Sequence, residues 1–353
     1  MCEFAFQRQV GDLILERKWD VLLETAEART KVAPHELIAR LTLIIGCLLQ
    51  GNYPEAYKHH ATLFSSDDGA DDPGNDLDIR EHLHSFAGLL VKDHPDNPGP
   101  RLFLGLTLAQ IGDLEGAIRE YKESARLDPG DSLPHYFHGQ AHHAMGRIEM
   151  AIREYREAVK LAPHDVLMRL NLGSAYHNQG NLESAIAQYR EAIKLNPNDH
   201  VLHYNLGLAL CDQGRMAPAI AAYKESARLN PEDALVRYAL GVAQETKGNL
   251  SQAIAEYEAA IQLNPGLAIA YTQLGWILYN LHRVPQAAEV FEKAVKCDAE
   301  DPQALHGLGL AKLGMGKEEE AIRLLAQAYQ KEERPDKKRV IRAVLVKVGF
   351  MSP

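Results

Sequence analysis

Between residues 166 and 199 the apolar positions sort onto helical faces. Leu182, Ala185, Ile186, Tyr189 and Ile193 recur at spacings of three and four, which puts them on one side of a helix predicted over 182–195. A helix predicted over 167–179 precedes it, with Gly180 between the two. Asn181 follows that glycine and is placed to cap the second helix. Pro197 closes the segment, because proline cannot continue a helix and disfavours helical backbone just before it.

The pattern returns at one interval. Gly105, Gly139, Gly173, Gly207, Gly241, Gly275 and Gly309 lie 34 residues apart. Twelve residues after each comes Ala117, Ala151, Ala185, Ala219, Ala253, Ala287 or Ala321. Sixteen after comes a ring, Tyr121, Tyr155, Tyr189, Tyr223, Tyr257 or Phe291, with Leu325 closing the series. A second glycine, seven after the first, stands at 112, 146, 180, 214, 248 and 316, and His282 takes that place in the sixth unit. Pro129, Pro163, Pro197, Pro231 and Pro265 end five units.

Each column has a physical role. The first glycine and the later alanine let two antiparallel helices approach closely. The ring fills the space where one hairpin meets the next. The second glycine ends the first helix in the left-handed region, which is cheap only without a Cβ, and histidine is among the better-tolerated exceptions. Asp113, Asn181 and Asn249 are candidate caps for the second helices. A fixed period of this length marks stacked supersecondary units.

These columns resemble the tetratricopeptide repeat, over residues 98–331. The resemblance implies an all-α fold, an α-solenoid in which antiparallel helix hairpins wind into a right-handed superhelix. Seven tandem repeats occupy 98–331. Residues 1–68 read as degenerate hairpins of the same kind: Leu43, Gly51, Ala56 and Leu63 fit the frame, and Trp19 and Pro34 suggest an earlier hairpin. Residues 69–97 read as an acidic loop and a helix leading into the array. The segment SSDDGADDPGNDLD at 65–78 lacks the order of a calcium loop and reads as solvated. Residues 332–353 read as a capping helix, with Val340, Ile341, Val344, Leu345 and Val348 on one stripe and Lys337, Lys338, Arg339, Arg342 and Lys347 around it. A basic amphipathic helix for an acidic partner or membrane surface is the competing reading.

Charge and composition narrow the function. The chain carries a net −10, and residues 1–97 hold 17 acidic against 9 basic side chains while the remainder holds 31 against 29. The array lacks the basic footprint of a nucleic-acid binder. The longest apolar stretch, Leu41–Leu49, is too short to span a membrane, and Glu3 and Arg8 break any opening signal segment. Cys2, Cys47, Cys211 and Cys297 lack metal or redox spacing and suit a reducing, cytoplasmic setting. Gly307, Gly309, Gly314 and Gly316 miss the phosphate-loop and dinucleotide spacings, so no catalytic site or cofactor is expected. His135, His138 and His142 share a helix face, with His143 beside them. They lack carboxylate or thiolate companions, so they are read as packing residues and not as a metal site.

By resemblance, the first helices line a concave groove. Its inward columns carry Tyr136, Tyr204 and Tyr238 three residues before the glycine, and Asn171, Asn205 and Gln273 two before. Trp276 follows one after, Tyr279 four after, and Asn178 and Asn280 five after. No lysine stands in those columns, which argues against the family's carboxylate clamp. Asn171 and Asn205 make a partial ladder suited to peptide backbone, since each amide offers a donor and an acceptor. The rings are interface-type residues. The expectation is a non-enzymatic adaptor or scaffold that binds an apolar or amphipathic protein segment. A homo-oligomeric scaffold and a regulatory or targeting subunit of an enzyme complex are the alternatives.

Overall fold

A computed structural model describes residue 84 and residues 87–352. The hairpins expected around Trp19, Pro34 and residues 37–68, the acidic loop, Cys2 and Cys47 lie outside the described residues. The chain divides into two compact units, Met1–Pro163 and His164–Pro353.

In the first unit a helical stretch over 87–93 precedes four helices, α1 (Pro98–Gln110), α2 (Leu114–Leu127), α3 (Leu133–Ala144) and α4 (Ile148–Leu161). α1 pairs with α2 and α3 with α4, and α2 packs on α3. The second unit runs α5 (Val166–Asn178), α6 (Leu182–Leu195), α7 (His200–Asp212), α8 (Met216–Leu229), α9 (Ala234–Thr246), α10 (Leu250–Leu263), α11 (Ala268–Asn280), α12 (Val284–Cys297), α13 (Pro302–Gly314), α14 (Glu318–Lys331) and α15 (Pro335–Lys347). Consecutive helices pair as hairpins, and each second helix packs on the first helix of the next hairpin. That succession is an α-solenoid, in which each unit contacts its neighbours. The first helices also meet one another, α5 with α7, α7 with α9 and α11 with α13, so they occupy the inner side of the curve.

The helix boundaries follow from the sequence. At the end of α5, Gly180 has φ 82, its N–H donates to the His177 carbonyl at 2.8 Å, and the Asn181 N–H reaches back to Tyr176 at 2.9 Å. This paired closure satisfies carbonyls that the last turn leaves open. His282 closes α11 with the same two bonds, to Tyr279 and from Arg283 to Leu278, at φ 59. Asp113 and Asn181 cap α2 and α6 as expected, accepting from Gly116 and Ser184. Asn249 does not cap α10; its amide donates to the Gln244 side chain at 2.9 Å. The first helices are capped by a column not anticipated from sequence: Asp165, Asp199, Asp233 and Asp301 accept from backbone N–H groups of α5, α7, α9 and α13.

The core consists of the repeat columns. Ala185, Ala219, Ala253, Ala287 and Ala321 are fully buried, as are the rings Tyr189, Tyr223, Tyr257 and Phe291. Each ring lies against the glycine of its own hairpin: a Cβ on Gly173 would stand 2.6 Å from Tyr189, and one on Gly275 2.6 Å from Phe291. The glycine column therefore receives the ring within one hairpin as well as letting the helices approach. Burying such a ring stabilises by about 1.5–3 kcal/mol.

α15 closes the second unit. Ile341 and Leu345 are buried against Leu305, Leu325 and Ala328. At its start a buried carboxylate, Glu332, accepts from the Arg334 backbone and guanidinium and from Gln303 of α13. Lys337 donates to the same Gln303 at 2.9 Å. The Arg334 hydrogen bonds hold the Glu332 pKa down at about 2, against the opposing effect of desolvation.

Candidate functional site

The inner side of the second unit is built from α5, α7, α9, α11 and α13. Its rings are only half exposed, because each leans on the core. Tyr204 lies 5.9 Å from Tyr223, Tyr238 lies 5.8 Å from Tyr257, and Trp276 meets Phe291 edge-on at 5.3 Å. Trp276 also touches Tyr279 and His306, at 6.1 and 5.4 Å. Burial raises the pKa of the Tyr204 and Tyr238 phenols, with nearby Asp233 adding to it at Tyr204. Gln273 of α11 lies close enough to the Tyr238 phenol to oppose that rise. Tyr204, Tyr238 and Trp276 are thus each half-buried against a core ring of their own hairpin.

The asparagines are oriented differently from a free ladder. Asn171 and Asn205 each donate to the carbonyl four residues back, Leu167 at 2.9 Å and Val201 at 2.8 Å. The amide donors are thus turned onto their own helices, and the Asn205 Oδ1 keeps acceptor capacity for a peptide N–H. Asn178 and Asn280 stand exposed at the ends of α5 and α11. Tyr136 belongs to the first unit, where it is buried between Phe137 and Tyr155 and accepts from Gln140.

One column on this side was not anticipated from sequence. Leu167, Val201, Leu235 and Ile269, six residues before each glycine, are 46, 39, 55 and 46% exposed. They sit one helical turn from Asn171, Asn205, Ala239 and Gln273, on the same face of the first helices. Aliphatic residues at this period were visible in the sequence. At the start of an amphipathic helix, however, they look like core, and only the packing shows them facing water. Beside them stand the cap aspartates, two residues earlier in α5, α7 and α9. The inner side thus offers an aliphatic row with acidic spacing, then amides, then rings.

Charged groups elsewhere on this side are engaged. His177 meets Asp212 at 2.7 Å. Glu245 accepts from the Tyr257 hydroxyl at 2.7 Å, and burial together with this contact raises the Tyr257 pKa. Arg237 pairs with Glu256 at 3.1 Å on the flank between α9 and α10.

In the first unit the histidines organise around a carboxylate on α4. Glu154 takes His135 at 2.9 Å and His138 at 3.2 Å, and His138 stacks 4.7 Å from His142. Burial works to raise the Glu154 pKa, but the two histidine hydrogen bonds outweigh it and hold the carboxyl well below its ordinary range. Burial lowers the His142 pKa. The carboxylate companion expected to be missing is thus supplied by Glu154 of α4. Among the described residues no group of three or more ligand side chains is disposed for a metal ion.

Comparison with protein families matches this chain to models described as TPR repeat, over residues 139–180 and 173–214. Models described as tetratricopeptide repeat match residues 83–132, 204–268 and 246–313. Comparison with curated protein sequences gives no match. Among solved structures, a tetratricopeptide repeat protein from Parabacteroides merdae is 18% identical, with a TM-score of 0.53 over 74% of this chain and 98% of its own. Yeast Tom70 is 14% identical, with a TM-score of 0.52 over 98% of this chain and 88% of its own. A chain of the APC/C hetero-tetramer Cut9-Hcn1 is 17% identical, with a TM-score of 0.51 over 87% of this chain and 55% of the matched chain. At these identities the likeness is one of fold.

Proposed function

This chain belongs to the tetratricopeptide-repeat family, and on that premise we propose that it is a non-enzymatic scaffold holding an apolar or amphipathic protein segment across the inner side of its second unit. The observation that carries the reading is the exposed aliphatic row Leu167, Val201, Leu235 and Ile269 beside the half-buried Tyr204, Tyr238 and Trp276. An amphipathic helix or extended segment would cover the row with its apolar side chains and stack on the rings. Asn205 would accept a backbone N–H of an extended guest through Oδ1, with Asn171 one hairpin before it on the same face. Asn178, Gln273, Tyr279 and Asn280 flank that path; Tyr136, buried in the first unit, contributes packing there.

On this face Asp165, Asp199 and Asp233 serve as caps, His177 pairs with Asp212 and Glu245 binds the Tyr257 hydroxyl, which suits holding more than catalysis. Cys211 and Cys297 are free thiols, in keeping with a cytoplasmic setting. Among the described residues no helix is long and apolar enough to cross a membrane.

The test is a titration of labelled amphipathic peptides, read by fluorescence anisotropy. The expected result is binding that falls about tenfold or more in a Leu235→Asp, Ile269→Asp variant of unchanged helicity. Equal binding by that variant would remove the inner row from the function.

A further inference from the structure

α15 and the turn that follows it have two apolar faces, and the solenoid uses one. Ile341 and Leu345 point inward and are buried. Val340 and, just past the helix end, Phe350 point outward, 56% and 54% exposed, with Ala343 between them. Arg339 and Lys347 stand exposed on the same outer surface. The outer surface of α15 thus presents apolar side chains flanked by cations.

The inner row of the second unit has the matching chemistry. Val201, Leu235 and Ile269 form its apolar line. Asp199 and Asp233, each using Oδ1 for its helix cap, leave carboxylate charge along the edge. α15 cannot turn its outer face onto this row within one molecule. Its inner face is fixed on α13 and α14, and its start is held by Glu332, Gln303 and Lys337.

We propose that the occupant of the inner row is a second copy of this chain, whose α15 end lays Val340 and Phe350 on Leu235 and its neighbours and sets Arg339 and Lys347 against Asp199 and Asp233. The proposal rests on the groove reading above and names its guest. The two surfaces are different patches, so the contact is heterologous: each molecule gives one α15 and offers one row. Such contacts propagate into rings or open chains. The opposite charges favour encounter in a chain whose net charge of −10 otherwise opposes self-association, and salt weakens that attraction.

The experiment is sedimentation equilibrium on the full chain. Wild type is expected to gain mass with concentration and to lose that gain as salt rises. A donor-defective variant, Val340→Asp with Phe350→Asp, and a row-defective variant, Leu235→Asp with Ile269→Asp, are each expected to stay monomeric. The milder Arg339→Glu, Lys347→Glu variant weakens association about tenfold or more without touching an apolar residue. Mixing the two monomeric variants is the decisive arm. Each keeps one intact half, so the mixture yields a 1:1 dimer that grows no further. A wild type that stays monomeric, or a mixture that gives no dimer, overturns the proposal. If a designed basic amphipathic peptide still binds the row of such a monomer, the scaffold reading stands and only the identity of the guest is wrong.

Discussion

The ring of Tyr223 lies directly on Gly207: a Cβ added to that glycine would stand 2.5 Å from Tyr223 Cε1. The ring is fully buried between hairpins and lacks room to retreat. Gly207→Ala therefore sets two effects against each other. Alanine favours a helix interior over glycine by about 1 kcal/mol. Overpacking a filled core costs about 1–3 kcal/mol. The expected net loss is about 1 kcal/mol, read as a lower denaturation midpoint. Tyr223→Leu should shrink that loss, because at Gly309, the seventh glycine of the series, the facing Leu325 leaves an added Cβ 2.8 Å away, a milder overlap than 2.5 Å.

His282 makes the converse case. It holds φ 59 where the other hairpins of the array place glycine. A side chain in the left-handed region costs about 1–2 kcal/mol, and glycine carries little of that cost. His282→Gly should raise stability by about 1 kcal/mol, with the α11–α12 turn unchanged. Gly248→His in the preceding hairpin should lower it by a similar amount. Paired thermal melts of the two variants check the sign.

Much of the fold was legible because the period exposed each packing column several times over. Gly180 and Asn181 marked a helix boundary that the structure places within a residue of the expected one. The site was less legible. Whether Leu235 faces core or water depends on where the neighbouring hairpin ends, and one repeat read alone does not contain that information. Asn205 was recognisable as an amide, but its turn onto the Val201 carbonyl is a rotamer choice. Glu154 sits 19 residues from His135, so their pairing emerges only once α4 lies beside α3.

Ring loss and row loss should be separable. Replacing Tyr204, Asn205 and Trp276 together with alanine removes guest contacts, but it also strips rings from Tyr223 and Phe291. Aromatic pairs contribute about 0.5–1.5 kcal/mol each beyond buried area, so this variant should melt earlier as well as bind less. Leu235→Asp changes a side chain that is 55% exposed and should leave the melt within about 0.5 kcal/mol of wild type while still lowering peptide affinity. Measuring both quantities on both variants checks the assignment. An early melt for Leu235→Asp would mean that the row is structural.

His306 sets a pH dependence on the second unit. Its ring lies beside Trp276, and its Nε2 is buried without a hydrogen-bond partner. Burial pushes its pKa from the ordinary 6.5 down to about 4; Glu332 opposes this lowering and Lys337 adds to it. Because the folded pKa lies below the unfolded one, the unfolded chain binds the proton more readily. Stability is therefore greatest above about 6.5, falls as pH drops through the window between that value and about 4, and levels off below it. A gap of that width between the folded and unfolded chain puts on the order of 3 kcal/mol at stake before any relaxation of the site. His135 in the first unit works in the opposite sense. Its pKa is raised by the Glu154 hydrogen bond, so it adds stability at low pH that is lost as pH rises through its folded value. A wild-type pH profile alone would mix the two. The comparison that isolates His306 is chemical denaturation of wild type and His306→Leu at pH 7 and pH 4.5. Wild type should lose more stability between those two conditions than the variant, and parallel losses would show that the His306 ring is hydrated in solution.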